Sequence, residues 1–514
     1  MFSNYQFKEV IFMGKKLYLI LAVSVVALLA VVPVIAGISG SGASGVQIQN
    51  LDPNNPVNVV VELWNQNGSA PIEVSQTGGD PIAAGTAKNY YLPTLPGVPD
   101  GAYAMAVSAG GPIAAIARTD WSATGGAALY GSVSPGTDVI IPLVVQDYAG
   151  QDSQFTIQNT NTAAAVNDVS IVLRGRGLAS PVTTLSSQSI PAGTSVTYAM
   201  SDPVWGSLPD TALDLGASGF VGSVRITSAT ELVVQSFIDI PGSRGVTGFT
   251  GVSAADAANT LYCPLIRSNF FGDTGISIVN PGGSDVPVQI TFYSDVLSPN
   301  SGTYTQDLTV PMNSSVIAFQ GLGGNSRVDA GLPGGSQGPT PVPTDDGWFG
   351  VAKVVATGGD VQAVVNDTVF GGAWNIESQS TYNCVTASQA GSSFALPLLR
   401  KFHLSTVQLT TGIQLQNTSS SSSATVSLQL YDWDGTDRGA SNPADIVIPP
   451  NGSGNFWAGN FTGLPTVPAD LGGFGWFGSG VITATGGDVV VVVDDTGFGA
   501  TAIDSANYNG LLVP

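Results

Sequence analysis

A single pattern is written four times along this chain, and a repeat of this length limits the fold to an array of domains before any one residue is considered. Each copy opens with a strand ending in Asn: Ile48-Gln49-Asn50, Ile157-Gln158-Asn159, Ile278-Val279-Asn280 and Leu415-Gln416-Asn417. An alternating apolar run follows, as in Val57 to Leu63 and Val426 to Leu430. Next comes a turn led by an apolar residue: Ile82-Ala-Ala-Gly85, Ile190-Pro-Ala-Gly193, Val310-Pro-Met-Asn313 and Ile448-Pro-Pro-Asn451. A glycine-aromatic strand comes after it: Gly101-Ala-Tyr103, Gly219-Phe220-Val-Gly222, Gly347-Trp348-Phe-Gly350 and Gly475-Trp476-Phe-Gly478. A small-residue turn then leads to a buried strand, clearest in Val361 to Val365 and Val489 to Val493. Each unit closes on an aromatic: Tyr130, Phe249, Tyr382 or Tyr508.

Every unit reads as strands, because Val, Ile, Thr, Tyr and Phe recur with period two between short turn signals, and no helical period persists. The fold class is all-β: a tandem array of four immunoglobulin-like or jelly-roll-type β-sandwich domains after an N-terminal signal peptide. A β-propeller is disfavoured, since each unit is more than twice the length of a blade and carries strands for two layers of its own. The predicted bounds are 1–36 for the signal peptide, 37–45 for a flexible Gly/Ser leader, and 46–138, 139–259, 260–393 and 394–514 for the four sandwiches. Short links between units predict a semi-rigid rod, and the Gly/Pro-rich stretch 321–347 reads as a surface loop of unit three.

The signal reading rests on Lys15 and Lys16, the apolar run Leu17 to Val32, and the Val34-Ile-Ala36 end, with Met13 as the expected true start and cleavage after Ala36 favoured over retention as an anchor. Only 10% of residues are charged and the formal net charge is -21, which argues against nucleic acid and anionic membrane as partners. The expected location is extracellular or at the cell surface. There, two cysteines, Cys263 and Cys384, favour a disulfide tying the ends of unit three, provided that strands such as Leu261 to Ile266 open units rather than close them.

Catalytic chemistry finds little footing. The one histidine, His403, reads as a residue at a domain joint. Acids recurring at strand ends, at Asp120, Asp239, Asp367 and Asp494-Asp495, read as turn chemistry rather than as a glycosidase pair, and Asp345-Asp346 reads no better. No catalytic residue is predicted, and the chain is read as no enzyme. Asp432, Asp434 and Asp437 on one tight turn form the candidate calcium site, calcium being the only cofactor considered, against the plainer reading of a hairpin turn. Trp64, Trp121, Trp433 and Trp457 near strand ends are the candidates for stacking on a glycan. Asn67, Asn417 and Asn460 begin glycosylation sequons.

Pro264-Leu-Ile-Arg267, Ser268-Asn-Phe-Phe271, Ile276-Ser-Ile-Val-Asn280, the Pro-Ala-Gly turn and Gly219-Phe-Val-Gly-Ser223 resemble the tandem β-sandwich repeats of secreted and cell-surface proteins of filamentous bacteria, a group largely without assigned activity. The resemblance implies a surface location and a structural or adhesive role, and carries over no catalytic residue. Unit one departs from it by lacking a Pro-Leu opening strand. Leu511, Leu512, Val513 and Pro514 look like such a strand with no unit behind it, so strand donation from one copy to the next is the expected assembly device. The sequence thus predicts a noncatalytic subunit of an extracellular filament, sheath or S-layer, with copies of itself head to tail as partners. The alternative is an adhesin that binds surface glycan through its loop aromatics.

Overall fold

The computed structural model describes residues 25–29 and 42–513, except 67–69, 77–78, 122–125, 132–134, 213–217, 240–245, 271, 321–346, 371–375 and 499–504. Asn67, Asp345, Asp346, Trp374, Pro514 and most of the leader therefore lie outside the described residues. The described chain is all-β, with antiparallel sheets joined by turns and single 3-10 turns.

Unit four shows the plan. One sheet runs Ile446–Ile448, Ala424–Asp432, Trp476–Thr485, Ser393–Lys401 and Leu511–Leu512; the other runs Ser453–Trp457, Leu409–Asn417, Val489–Gly497 and Ser505–Asn509. Unit three repeats this order strand for strand. Unit two does so with one long strand, Phe220–Asp239, serving both sheets. Pro-Leu strands open units: Gly136–Gln146, Thr260–Ser268 and Ser393–Lys401 each pair with the glycine-aromatic strand of their own unit. Units two and four thus begin a little before the predicted 139 and 394. Gly42–Asn50 is a strand, so the last residues of the predicted flexible leader are ordered sheet.

Local chemistry explains the repeat. Proline has no N–H for a ladder, and each Pro-Leu pair sits where the register breaks, between Ile141 and Val144, Cys263 and Ile266, Leu396 and Leu399. The closing tyrosines bind that bulge: the Tyr382 hydroxyl donates to Leu265 O at 2.6 Å and Tyr508 to Leu398 O at 2.7 Å. Gly222, Gly350 and Gly478 are required by close approach, since a Cβ at Gly478 would lie 2.0 Å from Tyr431 O.

The repeated Asn is a buried clamp. Asn417 Nδ2 donates to Ser422 O, Ile448 O and Pro449 O at 2.7, 3.1 and 3.1 Å, and Asn417 Oδ1 accepts from Ser419 N at 3.0 Å. Asn50, Asn159 and Asn280 make the same bonds to the equivalent turns. An amide held in this way is closed to glycosylation, which removes the Asn417 sequon. Asn417→Ala leaves the buried Ile448 carbonyl and the part-buried carbonyls of Ser422 and Pro449 short of a donor and is expected to cost about 2 kcal/mol, measured by chemical denaturation; a change below about 0.5 kcal/mol would contradict the clamp.

The units do not form a rod. They close into a ring, with Gly126–Gly131, Val246–Thr250, Ile376–Asn383 and Ser505–Asn509 neighbouring one another in turn about a common axis. The reason lies in the buried strand, whose second face packs on the adjoining unit. Phe237 and Val246 of unit two join the core of unit one, Val364 of unit three joins that of unit two, and Val492 of unit four joins that of unit three. Ile116, Ala127 and Leu129 of unit one join the core of unit four and complete the circle.

Candidate functional site at the ring axis

Specific side-chain contacts cross the seams between units. The Pro-Leu bulge that opens one unit presents its proline carbonyl to the next: Ser277 Oγ donates to Pro142 O at 2.8 Å, and Gln47 Nε2 donates to Pro397 O at 2.5 Å across the seam between units four and one. Between units three and four, Asp295 accepts from Gln414 Nε2 and Ser453 Oγ. Between units one and two, Trp121 and Tyr130 meet Phe237 edge to face at 5.8 and 6.0 Å.

Charge enters the closing seam as a buried triad. Asp495 of unit four is 2% exposed and accepts from Arg118 of unit one at 2.9 Å, from Arg400 at 2.7 Å and from Thr411 at 3.3 Å. Unit three carries the same strand-end acid and opening-strand base as an ion pair, Arg267 with Asp367. The recurring acids at these two positions are therefore partners of arginine, not turn formers. Asp120, the unit-one counterpart, also pairs with Arg118.

On the axis the closing strands surround a cavity of about 420 Å³ lined by all four units. Asn383 Nδ2 donates to Thr250 O and Oγ1, both at 2.9 Å, Asn509 Nδ2 donates to Asn383 O at 3.0 Å, and Asn507 Nδ2 donates to Ser380 Oγ at 2.9 Å. Unit one has Gly131 at this position, with Leu511 packed against it. Amides, hydroxyls and apolar side chains thus line the axis, and Asp256 is the one carboxylate among the described lining residues.

Of the residues predicted as sites, Cys384, Leu511 and Leu512 line this cavity, and the others fall elsewhere. Cys263 and Cys384 are disulfide-bonded, with sequence separation 121. Leu511 and Leu512 pair with Ala395 and Phe394 of their own unit, where Val252–Ser253 and Val385–Thr386 sit in units two and three. Val513 N also bonds to Ser393 O, so this strand completes unit four and is not spare. Asp432 accepts from the Trp476 indole at 2.7 Å and pairs with Arg438, Asp434 caps Thr436 N, and Asp437 accepts from Gln429 and Gly439 N. Each carboxylate of the calcium candidate is thus committed to a protein donor. Among the described residues no group of three His, Cys, Asp or Glu converges as a cation requires.

Nor do the tryptophans form a platform. Trp121 is buried in the seam, Trp64 lies over Gly193 of unit two, and Trp433 packs on Phe477. Trp457 lies 5.4 Å from half-exposed Phe498.

His403 is not at a domain joint but inside unit four, 9% exposed, with Nε2 3.0 Å from Leu471 O. Burial, with Arg400 nearby, pushes it down to about 4. A depressed histidine supports the fold while neutral, fully above its unfolded value near 6.5, and that support is lost as pH falls through about 4. His403→Gln is therefore expected to remove about 3 kcal/mol of acid sensitivity over that window, read as the difference from the parent in denaturation at several pH values. Asp273, which burial pushes up to about 6, acts with the opposite sign, so the difference and not the parent curve is the test. Parallel curves would contradict a buried neutral imidazole.

No protein-family model matches the chain, and no curated protein does. Solved structures similar to it include Thermotoga maritima 1070, at 12% identity over 25% of this chain and 94% of that one, TM-score 0.18. The partial N-terminal region of enterococcal surface protein matches at 10% identity over 78% of this chain and 89% of that one, TM-score 0.17. The B domain of biofilm associated protein matches at 9% identity over 77% and 80%, TM-score 0.16. Likenesses this distant carry no conclusion about what this chain does.

Proposed function

We propose that the chain is a noncatalytic structural subunit of an extracellular, cell-surface assembly whose partners are copies of itself. The observation that carries this reading is the closure of four like units into one ring, each packing its buried strand on the adjoining unit around an axial cavity. The export-type leader and the acidic, lysine-poor composition support the location. Because Leu511–Leu512 are seated in unit four and the seam between units four and one is internal, copies would meet through outer faces of the ring and not by donation of the tail strand.

Cell fractionation tests the location, and electron microscopy with light scattering over a concentration series tests the assembly. Ring particles that join into ordered filaments or sheets without added ligand are expected. Retention in the cytosol would refute the surface role. A monomer at every concentration with affinity for glycan would favour the adhesin reading, for which the Trp457–Phe498 edge is a platform among the described residues.

A further inference from the structure

Unit one has an opening strand after all, and it comes from the predicted signal peptide. Val25–Leu29 pairs antiparallel with the glycine-aromatic strand Tyr103–Ala109, from Val25 opposite Ala109 to Leu29 opposite Met105. Leu29 thereby takes the register position of Val144, Ile266 and Leu399, which lie opposite Gly222, Gly350 and Gly478, each two residues into its strand as Met105 is. Residues 30–41, 12 in number, join this strand to Gly42–Asn50, whereas the sister units bridge the same gap with 5, 4 and 7 residues. The connection is thus long enough for the same topology.

We propose that unit one carries a strand-acceptor groove along Tyr103–Ala109 and that residues 25–29 of this same chain are its occupant, so that this part of the predicted signal peptide is retained in the folded protein. Without an occupant, a row of backbone N–H and C=O groups beside Met105 and Val107, both 0% exposed, would be left unpaired. Val25-Val-Ala-Leu-Leu29 is apolar and uncharged throughout, with two β-branched valines, as suits such a slot. A segment held in the sheet is not free to cross a bilayer, which needs about 20 residues in a helix. Retention opposes cleavage after Ala36, on which the extracellular reading leans. The two are tested apart, since location is read by fractionation and retention by mass.

The experiment is the intact mass of the protein recovered from cells making the full chain, followed by thermal melts of that protein and of residues 37–514 with and without a synthetic peptide of residues 23–31. The expected result is a mass that includes residues 25–29, a melt several degrees lower for 37–514, and recovery of that loss with the peptide. If 37–514 does not fold, Val26→Pro together with Ala27→Pro in the full chain, set against Val31→Pro outside the strand, gives the same reading: only the pair lowers the melt. A mass beginning at Gly37, equal melts, or a proline pair without effect overturns the proposal.

Discussion

Asp495→Ala is expected to lower the stability of the protein by about 4 kcal/mol. Asp495 is 2% exposed, and the side chains of Arg118 and Arg400 are 7% and 12% exposed. Removing the acid leaves two buried guanidinium groups without the carboxylate between them, and desolvation is no longer offset. Asp120 remains beside Arg118, but its side chain is 49% exposed and an exposed pair contributes about 0–1 kcal/mol. Asp367→Ala, which breaks the ion pair with Arg267 inside unit three, is the natural control: it should destabilise without loosening the seam between units four and one. Guanidinium denaturation of both variants, with X-ray scattering of each below its transition, separates the effects. A loss under about 1 kcal/mol for Asp495→Ala would mean that the triad does not hold the ring shut.

Opening the Cys263–Cys384 bond is expected to cost about 4–5 kcal/mol, from the chain entropy released when a loop of separation 121 is no longer closed. The bond joins the opening strand of unit three, Thr260–Ser268, to the residue just before its tail strand Val385–Thr386, so it ties together both ends of the unit. Cys263→Ala with Cys384→Ala should therefore shift the denaturation midpoint strongly. Reducing agent should do the same to the parent and nothing to the variant. An unchanged midpoint after full reduction would show that packing alone holds the unit closed.

Much of the single unit was legible in the sequence, and its arrangement was not. The alternation in Val57 to Leu63 and Val426 to Leu430 announces strands with one covered face, and those strands are found. The recurrent Asn is visible in the sequence as a mark of the repeat, but its role as a clamp, donating to two turns and accepting from a third backbone group, is seen only in the fold. The rod was mistaken because short links constrain distance but not direction. The clue lay in Val489 to Val493, a run without alternation: a strand apolar on both faces needs cover on both. Its second cover is the adjoining unit. An array of sandwiches and units set around an axis, weighed as alternatives, are combined here. Trp121 looked like a loop aromatic because nothing in sequence tells a strand end in solvent from one at a seam. The strand-end acids read as turn formers because their arginine partners, Arg267 and Arg400, lie about a hundred residues away in sequence.

Closure of the ring is the claim on which the seams, the triad and the cavity all depend, and small-angle X-ray scattering of the dilute monomer tests it most directly. A closed ring of four units predicts a radius of gyration within a few ångströms of the roughly 24 Å of a compact chain this long, and negative-stain images with four lobes about one centre. A radius near about 40 Å, with images of lobes in a row as for four such domains end to end, would contradict it.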